Sequence, residues 1–184
     1  MEIRKLALAG VVEIVPEKIG DARGFFSETY SKQHLMDAGI GMDWVQDNQS
    51  FSAGRHVLRG LHFQAAPCAQ DKLIRVLKGT IFDVAVDLRR GSPTFGKWVS
   101  CELSVAKWNQ VLVPKGFAHG FLTLEPATEI FYKVSAPYAP HCDRAIRWND
   151  PALAIDWPLG GEAPVLSGKD ARAPLLAEAG ESLF

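Results

Sequence analysis

A succession of short apolar runs, each closed by turn-forming residues, sets the strongest limit on what this chain can fold into. The runs are VVEIVP (11–16), GFFSETY (24–30), HVLRGLHFQ (56–64), KLIRVLKG (72–79), TIFDVAVDL (80–88), GKWVSCELS (96–104), NQVLVPKG (109–116), HGFLTLE (119–125) and TEIFYKVS (128–135). Runs of this length, rich in Val, Ile, Phe and Tyr, suit strands and are too short for amphipathic helices. Turn signals recur about every ten residues, which predicts an all-β sandwich or barrel. Helical signal is confined to 31–39, which Gly39 would stop, a turn near 150–155 and the Ala-rich tail near 174–179. Lys78-Gly79-Thr80 reads as a hairpin turn between two strands. No repeat, low-complexity tract or dividing linker interrupts the chain, so residues 1–184 read as a single domain.

Charge narrows the choice of partner. Lys and Arg total 20 against 21 Asp and Glu, a net charge of −1, without the basic excess of a nucleic-acid-binding surface. A small anionic substrate is compatible with this balance, because a few cations clustered in a pocket barely move the total. No segment approaches the ~20 apolar residues of a membrane span, and the stretch MEIRKLALAGVVEI lacks a signal-peptide layout. Cys68, Cys101 and Cys142 form no CxxC pair and read as reduced thiols, as expected of a cytoplasmic protein.

Strand alternation selects candidate pocket residues. In LRGLHFQ, strict alternation puts Leu58, Gly60, His62 and Gln64 on one face and Arg59, Leu61 and Phe63 on the other. Gly60 is the residue able to bend or bulge the strand and break that rule. Lys72 shares a face with Ile74 and Val76, and Tyr132 with Ile130 and Val134. If the interior holds a ligand, His62, Lys72 and Tyr132 are the polar groups placed to line it.

PKGFAH (114–119) resembles the second cupin motif, in which Pro, Gly and His supply a metal ligand at a strand end. The first cupin motif needs His-x-His and a following Glu, whereas here the run is His62-Phe63-Gln64, followed by Gln70, Asp71 and Lys72. Two imidazoles and a neutral amide beside a lysine are a poor donor set for a cation. The expectation is a cupin shape with no metal in its centre.

Separated segments then converge on one family. DARGFFSE (21–28), QDNQSFS (46–52), VLRGLHFQ (57–64), the run 69–89, SPTFGKW (92–98), VPKGFAHGF (113–121), EIFYKVSAPYAP (129–140), IRWNDP (146–151) and LSGKD (166–170) together resemble the dTDP-4-dehydrorhamnose 3,5-epimerases over almost the whole chain. The resemblance implies a metal-free cupin jelly roll, a homodimer that exchanges N-terminal strands, and no cofactor. It also implies inversion of C3 and C5 of dTDP-4-dehydro-6-deoxy-D-glucose, on the way to dTDP-L-rhamnose. Both carbons lie α to the C4 ketone, so the reaction needs a base, an acid on the opposite face, and a cation or donor at the enolate oxygen.

By this resemblance His62 is the base and Asp170 its carboxylate partner. Lys72 stabilises the enolate and Tyr132 is the acid. Arg23, Phe26, Glu28, Gln46, Asn48, Arg59, His119, Tyr138, Asp143 and Lys169 match positions that contact the nucleotide sugar, with Tyr138 stacking on thymine. Arg23, Phe26 and Glu28 are expected to act partly across the dimer. Asp143 departs from the pattern, since the family usually has glutamate there. His34, His56 and His141 are read without catalytic roles. A C3-only epimerase and a 3,4-ketoisomerase of deoxysugar pathways stand as alternatives.

Overall fold

The computed structural model describes residues 1–180 and 183–184. Its strands are β1 (Glu2–Lys5), β2 (Val12–Val15), β3 (Ile19–Asp21), β4 (Gly24–Phe26), β5 (Gln46–Ser52), β6 (Leu58–Gln64), β7 (Lys72–Lys78), β8 (Thr80–Asp87), β9 (Trp98–Ser104), β10 (Gln110–Val113), β11 (Phe117–Thr123), β12 (Thr128–Val134) and β13 (Asp143–Ala145). Among the described residues, two short helices, α1 (Lys32–Asp37) and α2 (Gly168–Ala171), and a 3-10 turn at Leu176–Glu178 complete the elements. One sheet has the order β1-β2-β10-β7-β12-β5 and the other β13-β6-β11-β8-β9, while β3 and β4 form a separate ribbon. All these pairings are antiparallel, in keeping with the expected all-β jelly roll.

The two sheets enclose a shared interior. Ile74, Val76, Val113 and Ile130 from the first meet Ile81, Ala85, Leu103, Phe117 and Phe121 from the second. The back of the second sheet is covered by the C-terminal segment, where Ile146, Leu153 and Trp157 pack on Leu58, Leu61, Phe63, Val84 and Leu122. The back of the first is covered by α1, whose Leu35 joins Val12, Ile14, Leu73 and Leu112. Burying one such aliphatic side chain stabilises by roughly 1.5–3 kcal/mol. Strand β11, covered on both faces, is buried at every residue. Ser31 caps α1 by accepting from the His34 amide, and Gly39 leaves the helix at φ +79°, so the sequence-derived stop holds.

One expectation is corrected and another is met. Lys78-Gly79-Thr80 is not a hairpin turn, because β7 and β8 do not pair: β7 lies between β10 and β12, and β8 between β11 and β9. Gly79, at φ +85°, carries the chain from one sheet to the other. Here a side chain would strike Thr128, whose Oγ1 stands well inside contact distance of the position of a Cβ. A turn residue between two apolar runs cannot say whether those runs share a sheet.

The break in alternation foreseen at Gly60 is found in β6. His119 pairs with His62, but Phe121 pairs with Arg59, so β6 holds one residue more than β11 across this interval. That bulge inverts the alternation. Leu58, Leu61 and Phe63 all join the cluster behind the sheet, and Arg59 turns to the same interior cavity as His62. Gly60 permits it with φ +134° and a backbone pressed against Gly120.

Candidate active site

The interior opens into two adjoining cavities of about 310 and 250 Å³. His62, Lys72 and Tyr132 line both. His62 projects from β6 in the second sheet, and Lys72 and Tyr132 project from β7 and β12 in the first. Tyr132 pairs with Ile74 on one side and Asn48 on the other, which sets its ring on the inward face beside Lys72.

His62 Nε2 lies 2.5 Å from Asp170 Oδ1. Asp170 comes from the first turn of α2 and is almost wholly buried. Ser167, the cap of that turn, donates its hydroxyl to Asp170 Oδ2 at 2.8 Å and accepts from the Asp170 amide at 3.1 Å. Burial pushes the Asp170 carboxyl up, but the hydrogen bond and charge of His62, with Ser167 and Lys169, outweigh it, and the net shift is downward. Asp170 is therefore an anion that orients one imidazole nitrogen.

Burial lowers the Lys72 ammonium to about 8; the carboxylates of Asp143 and Asp83 pull the other way, and Lys169 adds to the lowering. Burial raises the Tyr132 phenol, with Arg59 opposing. Near neutral pH the cavity thus holds a cationic lysine and a neutral phenol.

His119, paired with His62 across the strands, lines the smaller cavity and sets Nε2 at 2.8 Å from Asp83 Oδ2. Sequence reasoning missed Asp83. The signal was a carboxylate set between Phe82 and Val84, on the inward face with Ile81 and Ala85. Ser167 was missed as well, since no periodicity marks a cap in a four-residue helix.

The other candidates divide into two groups. Arg59 lines the smaller cavity and is braced by the Phe51 carbonyl at 3.0 Å. Gln46, Asn48, Tyr138, Asp143 and Lys169 line the larger one. The Gln46 amide donates to Asn48 Oδ1 at 2.7 Å, and the Tyr138 hydroxyl donates to Asp143 Oδ2 at 3.1 Å. Lys169 forms an ion pair with the same Asp143 oxygen. Arg23, Phe26 and Glu28 line neither cavity. Arg23 pairs with Asp21 on the exposed β3–β4 ribbon, and Glu28 pairs with His34 at 2.9 Å. Within one chain they stand apart from His62.

The donor set fits acid–base chemistry better than ion binding. His62 and His119 are each engaged by a carboxylate, and Lys72 borders the same cavities. Among the described residues, the side chains grouped closely enough to share an ion are Cys68, His141 and Cys142, which line neither cavity. Fold and site define a cupin-type jelly roll built around a carboxylate-held histidine facing a lysine and a tyrosine.

Comparison with known proteins agrees. The family profile for dTDP-4-dehydrorhamnose 3,5-epimerase matches residues 5–178, and the chain belongs to this family. The dTDP-4-dehydrorhamnose 3,5-epimerase of Sinorhizobium fredii is 50% identical over 178 residues, covering 97% of this chain and 91% of the relative. The crystal structure of dTDP-6-deoxy-D-glucose-3,5-epimerase from Legionella pneumophila, in complex with dTDP-4-keto-L-rhamnose, superposes with a TM-score of 0.94 at 46% identity, covering 99% of this chain and 96% of that one. A 3'-monoepimerase from Streptomyces bikiniensis in complex with dTDP-quinovose has a TM-score of 0.89 at 33% identity, covering 96% and 88%.

Proposed function

We propose that this protein is an isomerase that inverts C3 and C5 of dTDP-4-dehydro-6-deoxy-D-glucose, giving dTDP-4-dehydro-L-rhamnose. The observation that carries the reading is the placement of His62 and Tyr132 on opposite sheets with Lys72 lining the same cavities. A 4-ketosugar between the sheets then has a base on one face and an acid on the other. The His62 nitrogen not held by Asp170 takes the proton from a carbon α to the ketone. The C–H electron pair becomes the enolate, whose oxygen meets the Lys72 ammonium. Collapse of the enolate takes a proton from Tyr132 on the opposite face, which inverts the carbon. Solvent restores both groups, and a second round treats the other carbon. No electron leaves the substrate, so no redox partner is required.

Arg59 supplies a fork for the diphosphate, and Tyr138 stacks on thymine beside Gln46 and Asn48. His119, Asp143 and Lys169 complete the sugar and phosphate contacts. The whole chain is read as one domain. The β3–β4 ribbon reaches a second copy, so that Arg23, Phe26 and Glu28 close the partner's cavity in a homodimer. The exposure of Ile19, Phe25 and Phe26, at 62%, 54% and 68%, supports a covered role for the ribbon. Free cysteines suit the reducing cytoplasm. No helix among the described residues is long and apolar enough to cross a membrane.

The test is an NMR time course with dTDP-4-dehydro-6-deoxyglucose in deuterated water. Deuterium at both C3 and C5 is expected. Incorporation at C3 alone would replace the reading with a C3 epimerase, the activity named for the Streptomyces bikiniensis relative. Migration of the ketone would make it a 3,4-ketoisomerase.

A further inference from the structure

The larger cavity has a neighbour that the epimerase chemistry does not use. The thiols of Cys68 and Cys142 and one imidazole nitrogen of His141 all lie within 4.8 Å of one another. Cys68 Sγ is 3.7 Å from His141 Nε2. Around a tetrahedral zinc ion, bonds of about 2.3 Å to sulfur and 2.0–2.1 Å to nitrogen put neighbouring S and N ligands about 3.6 Å apart. The separation of Cys68 and His141 is already that of two neighbouring zinc ligands, and Cys142 stands within 4.8 Å of both. Both protein segments are already fixed. β13 pairs with β6, Ala65 donates its amide to the Cys142 carbonyl at 2.9 Å, and the Cys68 amide donates to the Ala65 carbonyl at 3.0 Å. Gln64 clamps the same two loops, donating to the Cys68 carbonyl at 2.6 Å and accepting from the Ala139 amide at 2.7 Å. Cys142 is buried, Cys68 half-buried and His141 exposed, so water can reach a fourth position beside the imidazole.

We infer that Cys68, Cys142 and His141 form a site for one thiophilic divalent cation of the zinc class, with water as the fourth ligand. Two thiolates and an imidazole favour zinc over the hard cations calcium and magnesium. Binding releases the two thiol protons as the sulfurs ligate, with no change of oxidation state. The ion ties the loop after β6 to the loop that carries Tyr138, at the rim of the cavity. This inference does not depend on the identity of the sugar substrate.

The experiment is a cobalt titration of the full-length protein, freed of metal by chelation and kept in a phosphine reductant so that the thiols stay reduced. Saturation is expected at one Co²⁺ per chain, with an intense near-ultraviolet thiolate-to-cobalt band, visible bands of tetrahedral cobalt, and displacement by zinc. Cys68→Ser and His141→Ala should each weaken binding about tenfold or more, as loss of a ligand does, while Cys101→Ser leaves it unchanged. Absence of the charge-transfer band overturns the assignment. So does a Cys68→Ser protein whose affinity and band intensity match the wild type, or a band that disappears in Cys101→Ser.

Discussion

Gly60 and Gly120 meet backbone to backbone: a methyl group on Gly60 would stand 2.5 Å from Gly120 Cα and 2.9 Å from the His119 carbonyl oxygen. The contact lies at the bulge that turns Arg59 and His62 toward one cavity. Gly60→Ala adds both a clash and a side chain at φ +134°. Each effect costs on the order of 1–3 kcal/mol. The melting temperature should fall by several degrees, and turnover should fall further than the stability loss explains, because the bulge aims the base. Unchanged melting together with unchanged kcat would refute the role given to this contact.

Replacing His62 removes the base. His62→Asn should lower kcat by about 10²–10⁴-fold and abolish deuterium uptake at both carbons, with the nucleotide still bound. Asp170→Asn keeps the hydrogen-bond geometry but loses the charge, so its defect should be smaller and should show mainly in kcat. Isothermal titration with dTDP separates binding from chemistry, and wild-type deuterium uptake in His62→Asn would dismiss the assignment.

Tyr132→Phe should uncouple the two half-reactions. Proton abstraction continues, so the substrate still exchanges with solvent deuterium, while epimer formation drops about 10²-fold. Equal loss of exchange and epimerisation would place Tyr132 before the enolate instead of after it.

Lys72 sets the alkaline limb. Its ammonium is lowered to about 8 by burial, and the enolate needs the charged form. kcat should therefore fall as pH rises through about 8. Unfolding does not explain that loss as far as Lys72 is concerned. Between about 8 and the ordinary lysine value near ~10.4, the unfolded chain binds more protons than the folded one, so the contribution of Lys72 to stability rises with pH. The Lys72→Met enzyme should be slow and lack this limb, and a pH–rate profile of the variant that kept it would assign the limb elsewhere.

Sharing of sites between subunits can be read by complementation. Arg23→Ala and His62→Ala should each be nearly inactive. Subunit exchange between them should restore up to about a quarter of wild-type activity, since each mixed dimer holds one intact site. Failure of an exchanged mixture to recover activity would confine Arg23 to its own chain.

Apolar runs and turn residues were enough to establish the β class, because strand formation depends on a local period of two. They also placed Lys72 and Tyr132 on inward faces, where alternation with Ile74, Val76, Ile130 and Val134 is unbroken. Strand β5 escaped detection because its inward residues Gln46, Asn48 and Ser50 line a polar cavity, so QDNQSFS has no apolar period to read. The family resemblance supplied the His62–Asp170 pairing, which no local pattern could, since 108 residues separate the two.

The sequence by itself determined most of the strand segments and which residue types can move protons, since both follow from chemistry carried along a few neighbouring residues. Only the tertiary structure decided that β7 and β8 part to different sheets, that one extra residue in β6 brings Arg59 round to His62, and that Asp83 meets His119. The same holds for Cys68, His141 and Cys142, which the pairing of β6 with β13 gathers at one rim. These are consequences of register and long-range packing, and a single residue's shift in register reverses which side chains face inward.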